Sequence, residues 1–191
     1  RGYDSAGVAV SHVDEDRIQI FKKKGKVQDL LDHVGDEKPC GTSGIGHTRW
    51  ATHGPPNDVN AHPHTARLGR LAMIHNGIIE NYESLRKSLE TNGHAFVSDT
   101  DTEVLIHLIE EVQSRTNCSI ADAVQIALKE VEGAYAIAII DASEPDLLIA
   151  ARKSSPLVIG VGEENEYYIA SDATPIVEYT PNVIYLDDEE V

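Results

Sequence analysis

Ala134-Tyr135-Ala136-Ile137-Ala138-Ile139-Ile140-Asp141 is a short and almost wholly apolar stretch. Four more short apolar segments follow it, and turns rather than helical patterns separate them. Closely spaced strands without helices between them pair antiparallel, because a parallel connection needs a long crossover. The C-terminal third therefore predicts antiparallel sheet, with further strands expected at residues 146–151, 156–161, 166–170 and 182–186.

Upstream of this stretch, strand and helix patterns come in blocks. Residues 5–11 and 17–24 alternate like the two strands of a hairpin, and residues 27–34 have apolar positions at helical spacing. Thr100-x-x-Glu103 is typical of a capping box at a helix start. Other strands are expected at 44–50 and 68–75, and other helices at 81–92, 100–114 and 119–131. The pattern predicts an α+β fold, with helices packed on antiparallel sheet.

Length and composition limit the possible functions. The 191 residues are expected to form one domain, and 16 basic against 32 acidic side chains give a net charge of −16. Such a chain repels nucleic acids, so binding to DNA or RNA is not expected. Two cysteines, no signal peptide and no apolar run that could cross a bilayer predict a cytoplasmic protein that does not bind membranes.

His47-Thr48-Arg49-Trp50-Ala51-Thr52-His53-Gly54 concentrates hydrogen-bond donors where a predicted strand runs into a loop. A loop on a rigid edge is a common place for a binding site. The guanidinium of Arg49 forms a planar fork that suits a carboxylate.

The histidines allow a second hypothesis, a metal-dependent hydrolase that uses His47, His53, His62 and His64. No His-Glu-x-x-His helix and no cysteine pair at ligand spacing supports it. Histidines that make ordinary hydrogen bonds are the simpler alternative, and we expect no metal.

Two further positions have both a structural and a functional interpretation. Asn76-Gly77 follows an apolar strand and is typical of a turn, yet its amide donors also suit an oxyanion hole. Asp101 at a helix start complements the helix dipole, yet it also suits an ammonium group. Together with Arg49, these residues would fit a free amino acid that has an amide or ester side chain.

A nucleophile and a cofactor site are both missing from this pattern. Cys40 lies in a glycine-rich loop and Cys118 precedes a helix, and neither has an evident base beside it. The glycines Gly41, Gly44 and Gly46 match neither the dinucleotide nor the P-loop spacing, so no cofactor is expected. A third hypothesis is therefore a module that binds glutamine or glutamate without catalysis.

Longer motifs point to a known family. The chain resembles, over essentially its whole length, the glutaminase domains of the glutamine–fructose-6-phosphate aminotransferase family, which are class II glutamine amidotransferases. The motifs that carry the resemblance are residues 1–7, 48–54, 60–64, 75–81, 100–103, 133–135, 155–160 and 170–172.

The resemblance implies an N-terminal-nucleophile hydrolase fold, a four-layer αββα sandwich of two antiparallel sheets. It implies that glutamine is hydrolysed and that ammonia passes to a sugar isomerase domain of the same chain, in a homodimer that makes glucosamine 6-phosphate. Asn76 and Gly77 would form the oxyanion hole, Arg49 would hold the glutamine carboxylate, and Asp101 its ammonium. The resemblance also implies residues that would shape the pocket, namely Trp50, Thr52, His53 and His62. Arg1 would help to position the nucleophile.

One departure from the family concerns the catalytic cysteine, which in the family precedes the Arg1-Gly2-Tyr3-Asp4 motif. The expectation is an N-terminally truncated domain at residues 1–191, without the first strand and helix and without the isomerase domains. Such a chain should not hydrolyse glutamine by itself.

Overall fold

The computed structural model describes residues 4–11, 17–37 and 39–191. Its secondary structure comes in the order β1 Ser5–Ser11, β2 Ile18–Lys24, α1 Val27–Val34, β3 Ser43–Arg49, β4 His64–Thr65, β5 Leu71–Ile79, α2 Tyr82–Thr91, α3 Asp101–Thr116, α4 Ile120–Leu128, β6 Gly133–Asp141, β7 Leu148–Lys153, β8 Val158–Val161, β9 Tyr167–Ala170 and β10 Val183–Tyr185. Every pair of neighbouring strands is antiparallel. The predicted α+β class is thereby confirmed.

The central layer is a four-stranded sheet in the order β4-β5-β6-β7. Side chains alternate between its two faces, as the period of a strand requires. Met73 and Ile139 belong to one hydrophobic core with Leu105 and Ile109 of α3, and residues of α4 join it. Ala72 and Ala138 face the other way, into a second core. One face of the sheet therefore carries helices, and the other carries more sheet.

That second face is covered by two three-stranded sheets, β2-β1-β3 and β10-β8-β9. Ile45 of β3 packs on Ala72 and Ala138 of the central sheet, and Leu157, next to β8, packs on Ala136. Helix α1 lies against β1 and β2. The expected stack of antiparallel sheets between helices is present, with its second sheet in two parts among the described residues.

Gly7 is needed where β1 meets the loop that precedes β4. A Cβ at this position would lie 2.1 Å from the carbonyl oxygen of His62, far inside van der Waals contact. Because Gly7 has no side chain, the loop that carries His62 can approach the sheet closely.

Several predicted boundaries were wrong, and one difference matters for function. The strand expected at 68–75 runs from Leu71 to Ile79, so Asn76 and Gly77 lie inside β5 and do not form a turn. Continuous pairing with β6, in which Asn76 opposes Ala136, keeps the strand extended. The two-residue strand β4 was not predicted.

The capping box at Thr100 is formed only in part. The Thr100 side chain accepts the backbone N–H of Glu103, as predicted. In a full capping box the carboxylate of Glu103 would accept the backbone N–H of Thr100. Here it accepts the backbone N–H groups of Val97 and Ser98 instead, at 2.9 and 2.7 Å. Among the described residues, no helix is both long and apolar enough to cross a membrane.

Candidate active site

A cavity of about 880 Å³ is lined by residues of β3, β5, β6 and β9 and by the start of α3. Ile45, His47 and Arg49 alternate along β3 with the exposed residues Gly44, Gly46 and Thr48. This alternation aims His47 and Arg49 at the central sheet. The predicted site residues that line the cavity are Arg49, Trp50, Thr52, His62, Asn76, Gly77 and Asp101.

Arg49 is the main positive charge of the site. It is 3% exposed, and its Nη2 donates to the backbone carbonyl oxygens of His53 and, at 3.2 Å, of Gly54. Its Nη1 is buried and has no hydrogen-bond partner among the described residues. Burial lowers the pKa of the guanidinium, while the carboxylates of Asp4 and Asp101 oppose the shift. An arginine stays charged under such conditions, so Nη1 is a charged donor that an acceptor atom of a ligand would satisfy.

Asp101 places a buried carboxylate at the first turn of α3. Its Oδ2 accepts the backbone N–H of Ile79 at 2.9 Å, and its Oδ1 accepts that of Thr102 at 3.0 Å. A carboxylate has about four acceptor positions, so these two backbone bonds do not use all of them. The bond to Ile79 joins α3 to the end of β5 and fixes Asp101 relative to Asn76.

Asn76 and Gly77 bring amide donors to the same cavity. Gly77 has a φ of +133°, and a Cβ there would lie 2.0 Å from the carbonyl oxygen of Ala134. Only glycine fits this conformation, because a side chain would be disfavoured at this φ and would collide with the neighbouring strand. Asn76 Oδ1 is 2.8 Å from His47 Nε2.

The histidines form a hydrogen-bonded and stacked group at the cavity wall, where His47, His62 and His75 belong to the lining. Thr102 Oγ1 lies between His62 Nε2 at 2.9 Å and His75 Nδ1 at 3.0 Å. The His62 ring is 4.4 Å from that of His47 and 4.8 Å from that of His64. Desolvation lowers the pKa of His47 and His75, and lowers those of His62 and His64 well below the ordinary value.

The metal-hydrolase hypothesis for His47, His53, His62 and His64 finds no support in this arrangement. Within residues 4–11, 17–37 and 39–191, no three His, Cys, Asp or Glu side chains are placed to hold one metal ion. The Nε2 atoms of His47, His62 and His64 instead lie at hydrogen-bond distance from Asn76, Thr102 and Thr100.

The remaining predicted residues surround the opening or lie apart from it. Trp50 is 75% exposed at the cavity rim. His53 is not part of the lining, but its Nδ1 is 3.6 Å from Asp101 Oδ1 and its ring packs edge-on against Tyr82. Arg1 lies outside the described residues. Neither Cys40, which is exposed, nor Cys118 lines the cavity.

Sequence reasoning gave no role to Asp4 and Thr102, and it considered His47 only as a possible metal ligand. Asp4 accepts the backbone N–H of Ala51 and so holds the loop after Arg49. Thr102 bridges two histidines, and His47 contacts Asn76. The motifs that contain Asp4 and Thr102 were recognised, but contacts between distant parts of the chain leave no local pattern in a sequence.

Comparison with known proteins identifies the family of this chain. Residues 47–178 match the family described as "Glutamine amidotransferase domain". Glutamine–fructose-6-phosphate aminotransferase (isomerizing) from Bacteroides thetaiotaomicron is 56% identical over 191 residues, which are 100% of this chain and 31% of the relative. The enzyme of the same name from Chlorobaculum tepidum is 51% identical, again over 100% of this chain and 31% of the relative. The chain thus spans less than a third of these relatives.

Solved structures show the same fold. Glutamine phosphoribosylpyrophosphate amidotransferase from B. subtilis matches 97% of this chain and 39% of its own, with a TM-score of 0.78 and 28% identity. A glutamine aminotransferase class-II domain protein from Silicibacter pomeroyi matches 87% of this chain and 79% of its own, with a TM-score of 0.62 and 20% identity.

The stacked antiparallel sheets and the structural matches define an amidotransferase domain of the N-terminal-nucleophile hydrolase type. The chain belongs to the glutamine amidotransferase domain family.

Proposed function

We propose that the cavity binds glutamine, with its α-carboxylate on Arg49, its α-ammonium on Asp101 and its side-chain carbonyl against Asn76 and Gly77. A free amino acid has one anionic and one cationic group on the same carbon, and the cavity has a buried guanidinium and a buried carboxylate to match them. Donors beside the carbonyl would stabilise an oxyanion during attack on the amide.

The observation that carries this proposal is that Nη1 of buried Arg49 has no hydrogen-bond partner among the described residues. A buried charged donor without an acceptor costs free energy, and a ligand carboxylate would remove that cost. The other nitrogen, Nη2, is held by the carbonyl oxygens of His53 and Gly54, so the guanidinium is already oriented.

Calorimetry with glutamine and with its product glutamate tests the assignment. Arg49→Ala and Asp101→Asn should each weaken binding about 10- to 100-fold, which is the worth of one charged hydrogen bond. Arg67→Ala removes an arginine that does not line the cavity, and it should leave the affinity unchanged. Unchanged binding in Arg49→Ala would refute the role of the arginine.

We further propose that the domain works within a longer enzyme that transfers the amide nitrogen of glutamine to fructose 6-phosphate. The relatives from Bacteroides thetaiotaomicron and Chlorobaculum tepidum are named glutamine–fructose-6-phosphate aminotransferase (isomerizing), and each is about three times as long as this chain. Ammonia would pass to a sugar isomerase domain of the same chain, in a cytoplasmic homodimer, and the product would be glucosamine 6-phosphate. Ammonia release and glucosamine 6-phosphate formation by the full-length protein test this proposal.

Residues 1–191 alone are proposed to bind glutamine without hydrolysing it. Cys40 and Cys118, the two cysteines of this sequence, both lie away from the cavity. A serine or threonine within the chain has no free α-amino group beside its hydroxyl to act as the base. Purified residues 1–191 should therefore release no ammonia from glutamine. Release at a rate that iodoacetamide abolishes would contradict this prediction.

A further inference from the structure

A hydrogen bond between His47 and Asn76 joins two stacked sheets at the cavity. His47 lies on β3 of the sheet β2-β1-β3, and Asn76 lies on β5 of the central sheet. The distance from His47 Nε2 to Asn76 Oδ1 is 2.8 Å, and both residues line the cavity.

Chemistry sets the direction of this bond. In this structure the carboxamide oxygen of Asn76 faces His47, and because that oxygen only accepts, Nε2 of His47 carries the proton and donates it. Desolvation lowers the pKa of His47, which favours the neutral ring with a single N–H. That N–H is the one that faces Asn76.

The bond also decides what Asn76 presents to a ligand. The carboxamide is planar, with its oxygen on one side and its NH₂ group on the other. Once the oxygen is held by His47, the NH₂ group is left to the cavity. A rotation of about 180° about the last side-chain bond would instead present the oxygen, which repels a carbonyl oxygen.

The His47 ring is supported from behind. Its centroid is 4.4 Å from that of His62, and the two planes are inclined by 34°. His62 is in turn fixed by the hydrogen bond to Thr102 on α3. The orientation of Asn76 is thus linked through His47 to the first turn of α3, which also carries Asp101.

We propose that His47 is a positioning residue that turns the NH₂ group of Asn76 toward the side-chain carbonyl of bound glutamine. The proposal rests on the proposed function, because it needs glutamine in this cavity. His47 acts through Asn76 and is assigned no contact with the reacting atoms.

Discrimination between two ligands tests this role. Norvaline has the α-carboxylate and α-ammonium of glutamine but a methyl group in place of the carboxamide. The measured quantity is the ratio of the Kd for norvaline to the Kd for glutamine, from calorimetry on residues 1–191. His47→Phe keeps an aromatic ring against His62 but has no donor, and His47→Gln keeps an N–H donor.

His47→Phe should lower this ratio about three- to tenfold, which corresponds to one neutral hydrogen bond. Its Kd for norvaline should stay within about a factor of two, because Arg49 and Asp101 still hold the shared groups. His47→Gln should retain most of the discrimination. In an Asn76→Ala background, His47→Phe should change the ratio no further, since the two residues act as one unit.

Several results would overturn the proposal. An unchanged ratio in His47→Phe would show that Asn76 is oriented without His47. An equal loss of affinity for both ligands would show a merely structural role. A further drop in the Asn76→Ala background would show that His47 acts by another route. If the unmodified protein bound neither ligand, the proposed function would fail together with this inference. If the unmodified protein bound both ligands and His47→Phe kept the same ratio of Kd values, only the inference would be refuted.

Discussion

Gly77 illustrates how one residue combines a backbone requirement with a place in the cavity wall. Its φ of +133° is disfavoured for residues with a side chain, and the carbonyl oxygen of Ala134 occupies the space that a Cβ would need. The obstacle is backbone of the paired strand β6, so it cannot move without breaking the pairing of β5 and β6.

Gly77→Ala should therefore destabilise the protein by about 2–4 kcal/mol, from backbone strain and overpacking together. Gly69→Ala is the matched control, because Gly69 has a φ of +70° but open space within 4 Å of the point where a Cβ would lie. Strain alone should make it cost about 1–2 kcal/mol. Urea unfolding measures both, and equal costs would contradict the steric argument.

At the scale of an element, the start of α3 depends on one buried carboxylate. Glu103 is 2% exposed, and it accepts the N–H groups of Val97 and Ser98 and, at 2.6 Å, the hydroxyl of Ser98. These bonds fold the preceding segment back over the first turn of the helix. The same turn carries Asp101 and Thr102, so the position of two site residues depends on Glu103.

Glu103→Gln should lower the free energy of unfolding by about 1–3 kcal/mol, since an amide NH₂ group would face backbone donors and leave one of them unsatisfied. Glutamine binding should weaken as well, because Asp101 shifts with its turn. Glu90→Gln on α2 is the same substitution at an exposed i,i+4 pair with Arg86, where about 0.3–0.5 kcal/mol is expected. Similar losses of stability for the two variants in urea unfolding would disprove the special role of Glu103.

At the scale of the whole molecule, a group of neutral histidines lies where the layers meet. His62 and His64 are buried among other histidines, Thr100 and Thr102. Burial depresses the pKa of each, with the positive charges of neighbouring groups adding to the effect. In the unfolded chain the same side chains regain an ordinary pKa of about 6.5.

On acidification, the free energy of unfolding should consequently begin to decrease at an unusually high pH. Below about pH 6.5 the unfolded state binds protons that the folded state does not, so acidification favours unfolding. Each of these two histidines contributes up to about 1.4 kcal/mol per pH unit until its folded pKa is reached. Denaturant unfolding between pH 7 and pH 5 should show this decline, and His64→Gln should reduce the slope by one histidine's share. A stability that stays constant over this range would contradict the prediction.

Much of the fold was accessible from the sequence. The hairpin of β1 and β2, the helices α1 to α4 and the antiparallel C-terminal strands followed from period and turn residues, which are local properties. Boundaries were less accurate, as for Asn76 and Gly77, because pairing with β6 carries β5 past a dipeptide that usually forms a turn. The roles of the site residues came from residue chemistry and from the family resemblance, and they stay predictions.

By itself, the sequence determined the α+β class, the antiparallel strands and the residue types able to hold an amino acid. Hydrophobic periodicity and turn chemistry act between near neighbours, so they can be read along the chain. Only the tertiary structure decided that Arg49, Asn76 and Asp101 share one cavity and that His47 holds the oxygen of Asn76. It also decided that Nη1 of Arg49 has no partner within the part of the chain that the structure describes. Those facts depend on how two sheets and a helix stack, and stacking brings together residues that no local pattern connects.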